Sequence, residues 1–427
     1  MIIGGGFGGI AAARALKHAP VRLTMIDRRN HHLFQPLLYQ VATAALNPSD
    51  IASPIRRILR RQGNASVILG EAVSIDTRRK IVQLADGEVA YDYLIVASGA
   101  THSYFGHDEW LEAAPGLKTL EDAVEIRRRV LVAYEAAERE VDAAEVANWM
   151  TFVIIGAGPT GVEMAGALAE ISRRVLERDF RTIDPGNARI ILIEAGPRVL
   201  PAMSPESSAS ARRQLERLGV EVITDSPVTA VDDRGVMHGG ARLDSRTVIW
   251  AAGVAASPLG KTLGADVKLD RAGRVIVNQD LLVPAADSVF VIGDLASISS
   301  DGKPVPGLSP AAMQEGRHAA RNVTRLIHGE PTLPFHYRDK GTLATIGKAA
   351  AVADIAGLHL SGLVAWLMWL FVHIFFLIGF RNRFIVIVEW AWTYVRNDRG
   401  ARLITGNVEP MLERGEKPEN RKRMLSK

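Results

Sequence analysis

Ile2-Ile3-Gly4-Gly5-Gly6-Phe7-Gly8-Gly9 and, far downstream, Phe152-Val153-Ile154-Ile155-Gly156-Ala157-Gly158-Pro159-Thr160-Gly161 carry one reading: an apolar strand running into G-x-G-x-x-G. Each stretch is followed by a helix-forming segment, Ile10 to Leu16 and Val162 to Ile171. In such a turn the first glycine (Gly4, Gly156) makes the tight bend and the second (Gly6, Gly158) lets the backbone approach a pyrophosphate. The third (Gly9, Gly161) packs helix on strand, and the helix N-terminus faces the phosphate charge. One such motif is weak evidence, because glycine turns also arise for structural reasons alone. Two in strand–turn–helix context predict an α/β chain with two Rossmann-like dinucleotide-binding domains.

The acidic partners agree. Val21 to Ile26 is an apolar strand ending in Asp27, 18 residues past Gly9, where a carboxylate can accept both ribose hydroxyls of an adenosine. Arg189 to Ile193 ends likewise in Glu194, 33 residues past Gly161. The longer spacing reads as a prolonged helix from Arg173 and a Pro185-Gly186 turn. Glu194 would repel a 2′-phosphate, so this site should prefer NAD(H), although Arg198 four residues on tempers that preference.

Between and after the fingerprints, β and α signals alternate. Val67 to Leu69 and Lys80 to Leu84 read as strands flanking a turn, Tyr91 to Ala100 as a buried strand, and 121–145 as one long helix. Val248 to Gly253 and Val289 to Asp294 repeat the theme of a buried strand ending in small residues, so the second unit is inserted in the first, which resumes near residue 280. The chain contains no cysteine, which excludes disulfides, thiolate metal sites and any cysteine relay. No metal cluster or Ser–His–Asp arrangement stands out, and His318 and His336 read as structural or exposed. The net charge of +4 is modest, and its arginine clusters lack interleaved aromatics, which argues against nucleic acid. Only three residues precede Gly4, short for a first strand, so the start is expected to be trimmed.

Taken together, the paired fingerprints, the Ser98-Gly99-Ala100-Thr101 turn and Ile292-Gly293-Asp294 resemble the two-dinucleotide-binding-domain flavoproteins. Within them, Asn30 to Ala42 (NHHLFQPLLYQVA), Thr101 to Gly106 and Trp250-Ala251-Ala252-Gly253-Val254 are similar to type II NADH dehydrogenases, single-subunit NADH:quinone oxidoreductases. The resemblance implies that Gly4, Gly6, Gly9, Asp27 and Gly99 hold FAD, with Asp294 on the flavin ribityl chain. It implies that Gly156, Gly158, Gly161, Glu194 and Gly253 hold NADH. Glu163 keeps the family's G-V-E and should lie near the nicotinamide. Relatives often carry a second glutamate four residues later. Ala167 stands there instead, and Glu170 is the candidate substitute, with a surface glutamate the competing reading.

Without sulfur beside the flavin, electrons must pass directly to an acceptor. The family's quinone motif is A-Q-x-A-x-Q, and Ser309-Pro310-Ala311-Ala312-Met313-Gln314 matches it at Ala312 and Gln314. Pro310 replaces the first glutamine and cannot donate a hydrogen bond, which leaves Gln314 to meet a quinone carbonyl. The competing readings are a helix-end glutamine in water, a soluble reductase of a ferredoxin- or rubredoxin-like carrier and, more distantly, a non-enzymatic redox sensor.

The tail favours the quinone. Ile355 to Phe380 contains no Asp, Glu, Lys or Arg, long enough to span a bilayer. Arg381 and Arg383 follow, then an amphipathic run Phe384 to Val395, too short to return across, then Arg396, Arg399 and Arg402. This pattern suits a helix pair lying in one leaflet interface. A buried hairpin or a homodimer interface is the alternative. The expected division is 1–120 and 281–354 for the FAD-binding domain, with the quinone helix in its second part. Residues 121–280 would form the NADH-binding domain, 355–400 the membrane-anchoring helices and 401–427 a charged tail, disordered from 411 on. The expected partners are a membrane quinone (ubiquinone or menaquinone) and the bilayer surface, at the cytoplasmic face of the cell membrane.

Overall fold

Ile2 and Ile3 pair in parallel with Met25 and Ile26 on one side and with Ile95 and Val96 on the other, all nearly or fully buried. Around this three-strand centre the computed structural model builds a six-stranded sheet in the order Leu282–Val283, Ala286–Val291, Leu94–Val96, Ile2–Ile3, Leu23–Asp27, Ala65–Leu69. Only the Leu282–Val283 edge is antiparallel. Runs such as Leu-Ile-Val at 94–96 suit this sheet because strands covered on both faces are apolar throughout. The structure describes residues 1–177, 179–284, 286–396 and 399–406; the expected charged tail lies outside the described residues from 407 on.

The chain forms two units. The first comprises Met1–Leu33, Ala52–Thr101 and Val254–Lys340. Strand Ala286–Val291 returns after the long excursion to lie parallel to Leu94–Val96, as the insertion reading required. Helices Phe7–Ala15 and Ser309–Ile327 pack closely in this unit: a Cβ added at Gly316 would lie 2.2 Å from the Gly8 carbonyl oxygen. The strands at 65–69 and 81–84 do not flank one turn. The first belongs to the parallel sheet, whereas Ile81–Leu84 is the middle of an antiparallel meander with Ala72–Asp76 and Gly87–Ala90.

The second unit comprises Phe34–Ile51, His102–Gly253 and Gly341–Lys427. Its parallel sheet runs Val220–Ile223, Arg189–Ile193, Thr151–Ile155, Thr247–Trp250. The expected long helix is two helices, Leu120–Arg139 and Ala143–Trp149, broken where Glu140 turns extended. The first begins at a capping box, in which the Thr119 side chain takes the Asp122 N–H and Asp122 returns the bond. The changeovers at 101/102 and 253/254 differ from the expected 120/121 and 280/281. The helix from 120 packs with the second sheet, whereas 254–280 feeds strand Val275–Ile276, which pairs with Ala296–Ser297 of the first unit. The largest departure is C-terminal. Residues 342–361, read in part as the start of the anchor, form an antiparallel sheet of Thr342–Gly347, Ala350–Ile355 and Leu358–Ser361, and helices begin only at Leu363.

Candidate dinucleotide sites and the C-terminal face

The two fingerprints are built alike. Gly4 and Gly156 both stand at φ +99, and a Cβ there would fall 2.3 Å from the Ala97 carbonyl oxygen and 2.4 Å from the Ala252 Cα. Only glycine fits such a position. A Cβ at Gly9 or Gly161 would lie 1.8 Å from the carbonyl oxygen of Gly4 or Gly156. At Gly6 and Gly158 it would meet nothing within 4 Å. The glycine there answers to no neighbour in the protein and leaves a cradle that a side chain would fill. Neither helix carries a side-chain cap at its N-terminus, so the first-turn N–H groups are left for an anion. The residue after the first glycine addresses the strand-end carboxylate in both: Gly5 N–H donates to Asp27 Oδ2 at 2.6 Å, and Ala157 N–H to Glu194 Oε2 at 2.7 Å. The other carboxylate oxygens take the N–H of Arg29 and of Gly196. These bonds hold each carboxylate at the strand tip where an adenosine ribose is recognised. Both sites fit a dinucleotide.

In the first unit, the short turn Gly293–Leu295 follows strand Ala286–Val291. Gly293 has φ +70, and Asp294 is half-buried. A Cβ at Gly8 would sit 3.0 Å from Ile292 and 3.1 Å from the Ala312 carbonyl oxygen, so the fingerprint helix, the Gly-Asp turn and the start of the Ser309–Ile327 helix meet. Gly99, at φ +69, has open space where a Cβ would be. Pro310 occupies the first turn of its helix. Ala312 turns inward and is spent on packing beside Gly293. Gln314 closes a two-bond ring on Arg338, donating Nε2–H to its carbonyl and accepting its N–H, both at 3.0 Å. The expected free amide is therefore half committed to the 335–340 segment, because a strand-like backbone offers a primary amide both partners it needs. Sequence reasoning passed over its neighbour Glu315, which is buried and accepts the Gly293 N–H.

In the second unit, Glu163 lies one turn into the helix Pro159–Glu170 and accepts the Thr345 N–H from the C-terminal sheet; burial pushes its carboxyl up to about 8. The helix rides tightly on that sheet, since a Cβ at Gly166 would overlap the Ile346 carbonyl oxygen at 1.6 Å. Glu170, the candidate link between the substrate sites, is held at both carboxylate oxygens. It accepts the Lys348 N–H and pairs with the buried Arg399, whose guanidinium also donates to the Thr43 carbonyl. The sequence could not show these partners because they come from 178 and 229 residues further on. Gly253 is accounted for by packing: a Cβ there would strike Phe105 Cζ at 2.7 Å and the Ser103 carbonyl oxygen at 2.9 Å.

Helices Leu363–Phe376 and Phe380–Arg396 are the last two along the described residues, and among these no helix is long and apolar enough to cross a membrane. Fourteen residues reach about 21 Å against a hydrocarbon core of about 30 Å. The first helix is two-faced all the same. Trp369 is 1% exposed and stacks on His373, whose burial lowers its pKa to about 4. Leu363, Leu367, Phe371 and Phe375, spaced by four, are all exposed, Phe371 at 69%. On the second helix Trp390 is buried and donates to Gln40, whereas Phe384, Ile387, Val388 and Trp392 are exposed.

Residues 1–316 match the pyridine nucleotide-disulphide oxidoreductase family, and residues 340–396 match the NDH2 C-terminal domain. The second match begins at the antiparallel sheet rather than at 355. The chain is 46% identical over 424 residues to the type II NADH:quinone oxidoreductase NdhA of Mycobacterium tuberculosis, covering 96% of this chain and 89% of that protein. It is 30% identical to the type II NADH:quinone oxidoreductase of Staphylococcus aureus, over 85% of this chain and 90% of that one. The solved structure of NDH2 from Plasmodium falciparum in complex with NADH has the same fold, with a TM-score of 0.86 at 21% identity, covering 95% of this chain and 99% of that one.

Proposed function

The chain belongs to the type II NADH:quinone oxidoreductases, and on that footing we propose which of its residues do the work. It is a flavoprotein that oxidises NADH and reduces a quinone, with FAD and NADH as its cofactors. Bound in the first unit, FAD would supply two-electron chemistry between NADH and the quinone, whose reduction to the quinol takes the two electrons and one proton of the hydride and one further proton from water. The first fingerprint, Asp27 and Asp294 hold FAD; the second fingerprint and Glu194 hold NADH. The observation that supports two dinucleotide sites is the congruence of the two turns, each with an open second glycine and a tethered strand-end carboxylate, and the order, FAD before NADH, follows the family's pattern. Hydride transfer needs alignment more than an acid or base, so the chain's contribution is positioning. The carboxylate of Glu194 keeps the adenosine ribose and turns away a 2′-phosphate.

The same reading assigns the exposed apolar rows of the two C-terminal helices to a bilayer surface on the cytoplasmic side, with the acceptor a membrane quinone. Support comes from the coexistence of buried Trp369 and Trp390 with exposed Phe371, Phe375 and Trp392: the helices are fixed to the protein by one face and present the other outward. Gln314, with one N–H and one lone pair still uncommitted, is the proposed quinone contact. The test is anaerobic rapid mixing. NADH should bleach the flavin absorbance, and a quinone analogue should restore it. Restoration by a ferredoxin and not by the quinone would return the reading to a soluble reductase.

A further inference from the structure

Glu315 follows the glutamine of the acceptor motif, and no motif gives it a role. It is 3% exposed, and its Oε2 accepts the Gly293 N–H at 2.5 Å. A buried carboxyl is costly unless hydrogen bonds answer for it, so its placement calls for a reason. Gly293 stands in the left-handed region, and Asp294 is the next residue. A turn of that shape can swing when its amide is released. Here it cannot, because the carboxyl that holds it comes from a helix that is itself immobilised: Gly316 is pressed against the Gly8 carbonyl and the Ala12 N.

We propose that Glu315 is a positioning residue for the cofactor, fixing the Gly293–Asp294 turn through the Gly293 N–H so that Asp294 meets the flavin ribityl chain. This rests on the reading of Asp294 as an FAD contact. The titratable groups that face Glu315 are Asp294 from the turn and Tyr337 from the 335–340 segment, while the fingerprint helix offers only the backbone of Gly8 and Ala12. Burial, with Asp294 adding to it, pushes the Glu315 carboxyl up to about 7. Below that pH its carbonyl oxygen still accepts the amide. Above it, the carboxylate takes the Gly293 N–H as a charge-assisted acceptor, which outweighs the repulsion from Asp294 and holds the turn more tightly.

The test is FAD binding to the full apo chain, followed by flavin fluorescence at pH 6, 7 and 8, for wild type, E315Q, E315L and D294A. Wild-type affinity should rise several-fold from pH 6 to 8. E315Q keeps an acceptor and no charge, so it should bind as wild type does at pH 6 and show no pH trend. E315L, lacking the acceptor, should bind about 10- to 100-fold more weakly at every pH, the scale of leaving the Gly293 N–H without a partner. Wild-type affinity in E315L, or the wild-type pH trend in E315Q, overturns the proposal. If D294A binds FAD normally, the reading of the turn falls and this role with it; if only E315L does, the turn stands and Glu315 merely packs. Should E315L fail to fold, as judged by the melting of its apo chain, the E315Q pH profile decides alone.

Discussion

Gly158→Ala separates ligand space from protein space. Gly158 has φ −69, ordinary for alanine, and a Cβ there meets nothing within 4 Å. Stability should therefore stay within about 0.5 kcal/mol of wild type, or rise slightly from reduced unfolded-state entropy. If the NADH pyrophosphate lies over this glycine, the methyl enters its place, and overpacking of that kind costs about 1–3 kcal/mol. KM for NADH should rise about 5- to 150-fold. Gly161→Ala is the contrast. Its Cβ would lie 1.8 Å from the Gly156 carbonyl oxygen, so helix and strand must part by roughly 1.5 Å or more to reach ordinary contact distance. That variant should melt early. The assay pairs thermal unfolding with NADH saturation kinetics, using the FAD spectrum as internal control because the first unit is untouched. An NADH KM within twofold of wild type in Gly158→Ala would refute the phosphate assignment. Melting of Gly158→Ala as early as Gly161→Ala would refute the packing argument.

Glu194→Gln removes the charge that repels a 2′-phosphate and should shift the NADPH/NADH ratio of kcat/KM by about 1–3 kcal/mol, or 5- to 150-fold, toward NADPH; an unchanged ratio would place the ribose elsewhere. Replacing exposed Phe371, Phe375 and Trp392 by serine should release the protein from lipid vesicles, each side chain withdrawing about 1.5–3 kcal/mol of apolar burial, while ferricyanide reduction continues. Vesicle sedimentation with full retention would exclude these faces as the anchor. Glu163, raised from 4.5 to about 8, binds a proton in the folded state that the unfolded chain releases between those values. Wild-type stability should therefore decline as pH rises from about 5 to 8, and Glu163→Gln should flatten that decline in denaturant melts at several pH values.

The sequence by itself determined what depends on local backbone rules. Gly4, Gly6 and Gly9, with Ile2-Ile3 before them, specify a strand–turn–helix wherever they occur, because left-handed φ and zero side-chain volume are properties of glycine and not of its neighbours. The second fingerprint, the strand-end carboxylates and the return of the chain at 286–291 were legible for the same reason. What only the tertiary structure decided are the partners of polar side chains. Gln314 reads as a free amide until Arg338 is folded against it, the bonds of Glu170 to Lys348 and Arg399 exist only in the fold, and Glu315 reads as nothing until it meets Gly293. Hydrophobic runs had the same limit. The uncharged stretch 355–380 could not reveal that Leu358–Ser361 pairs as a strand or that Trp369 faces inward while Phe371 faces out. Hydropathy records how apolar a residue is; which surface it meets is settled by contacts with residues hundreds of positions away, and those exist only once the chain has folded.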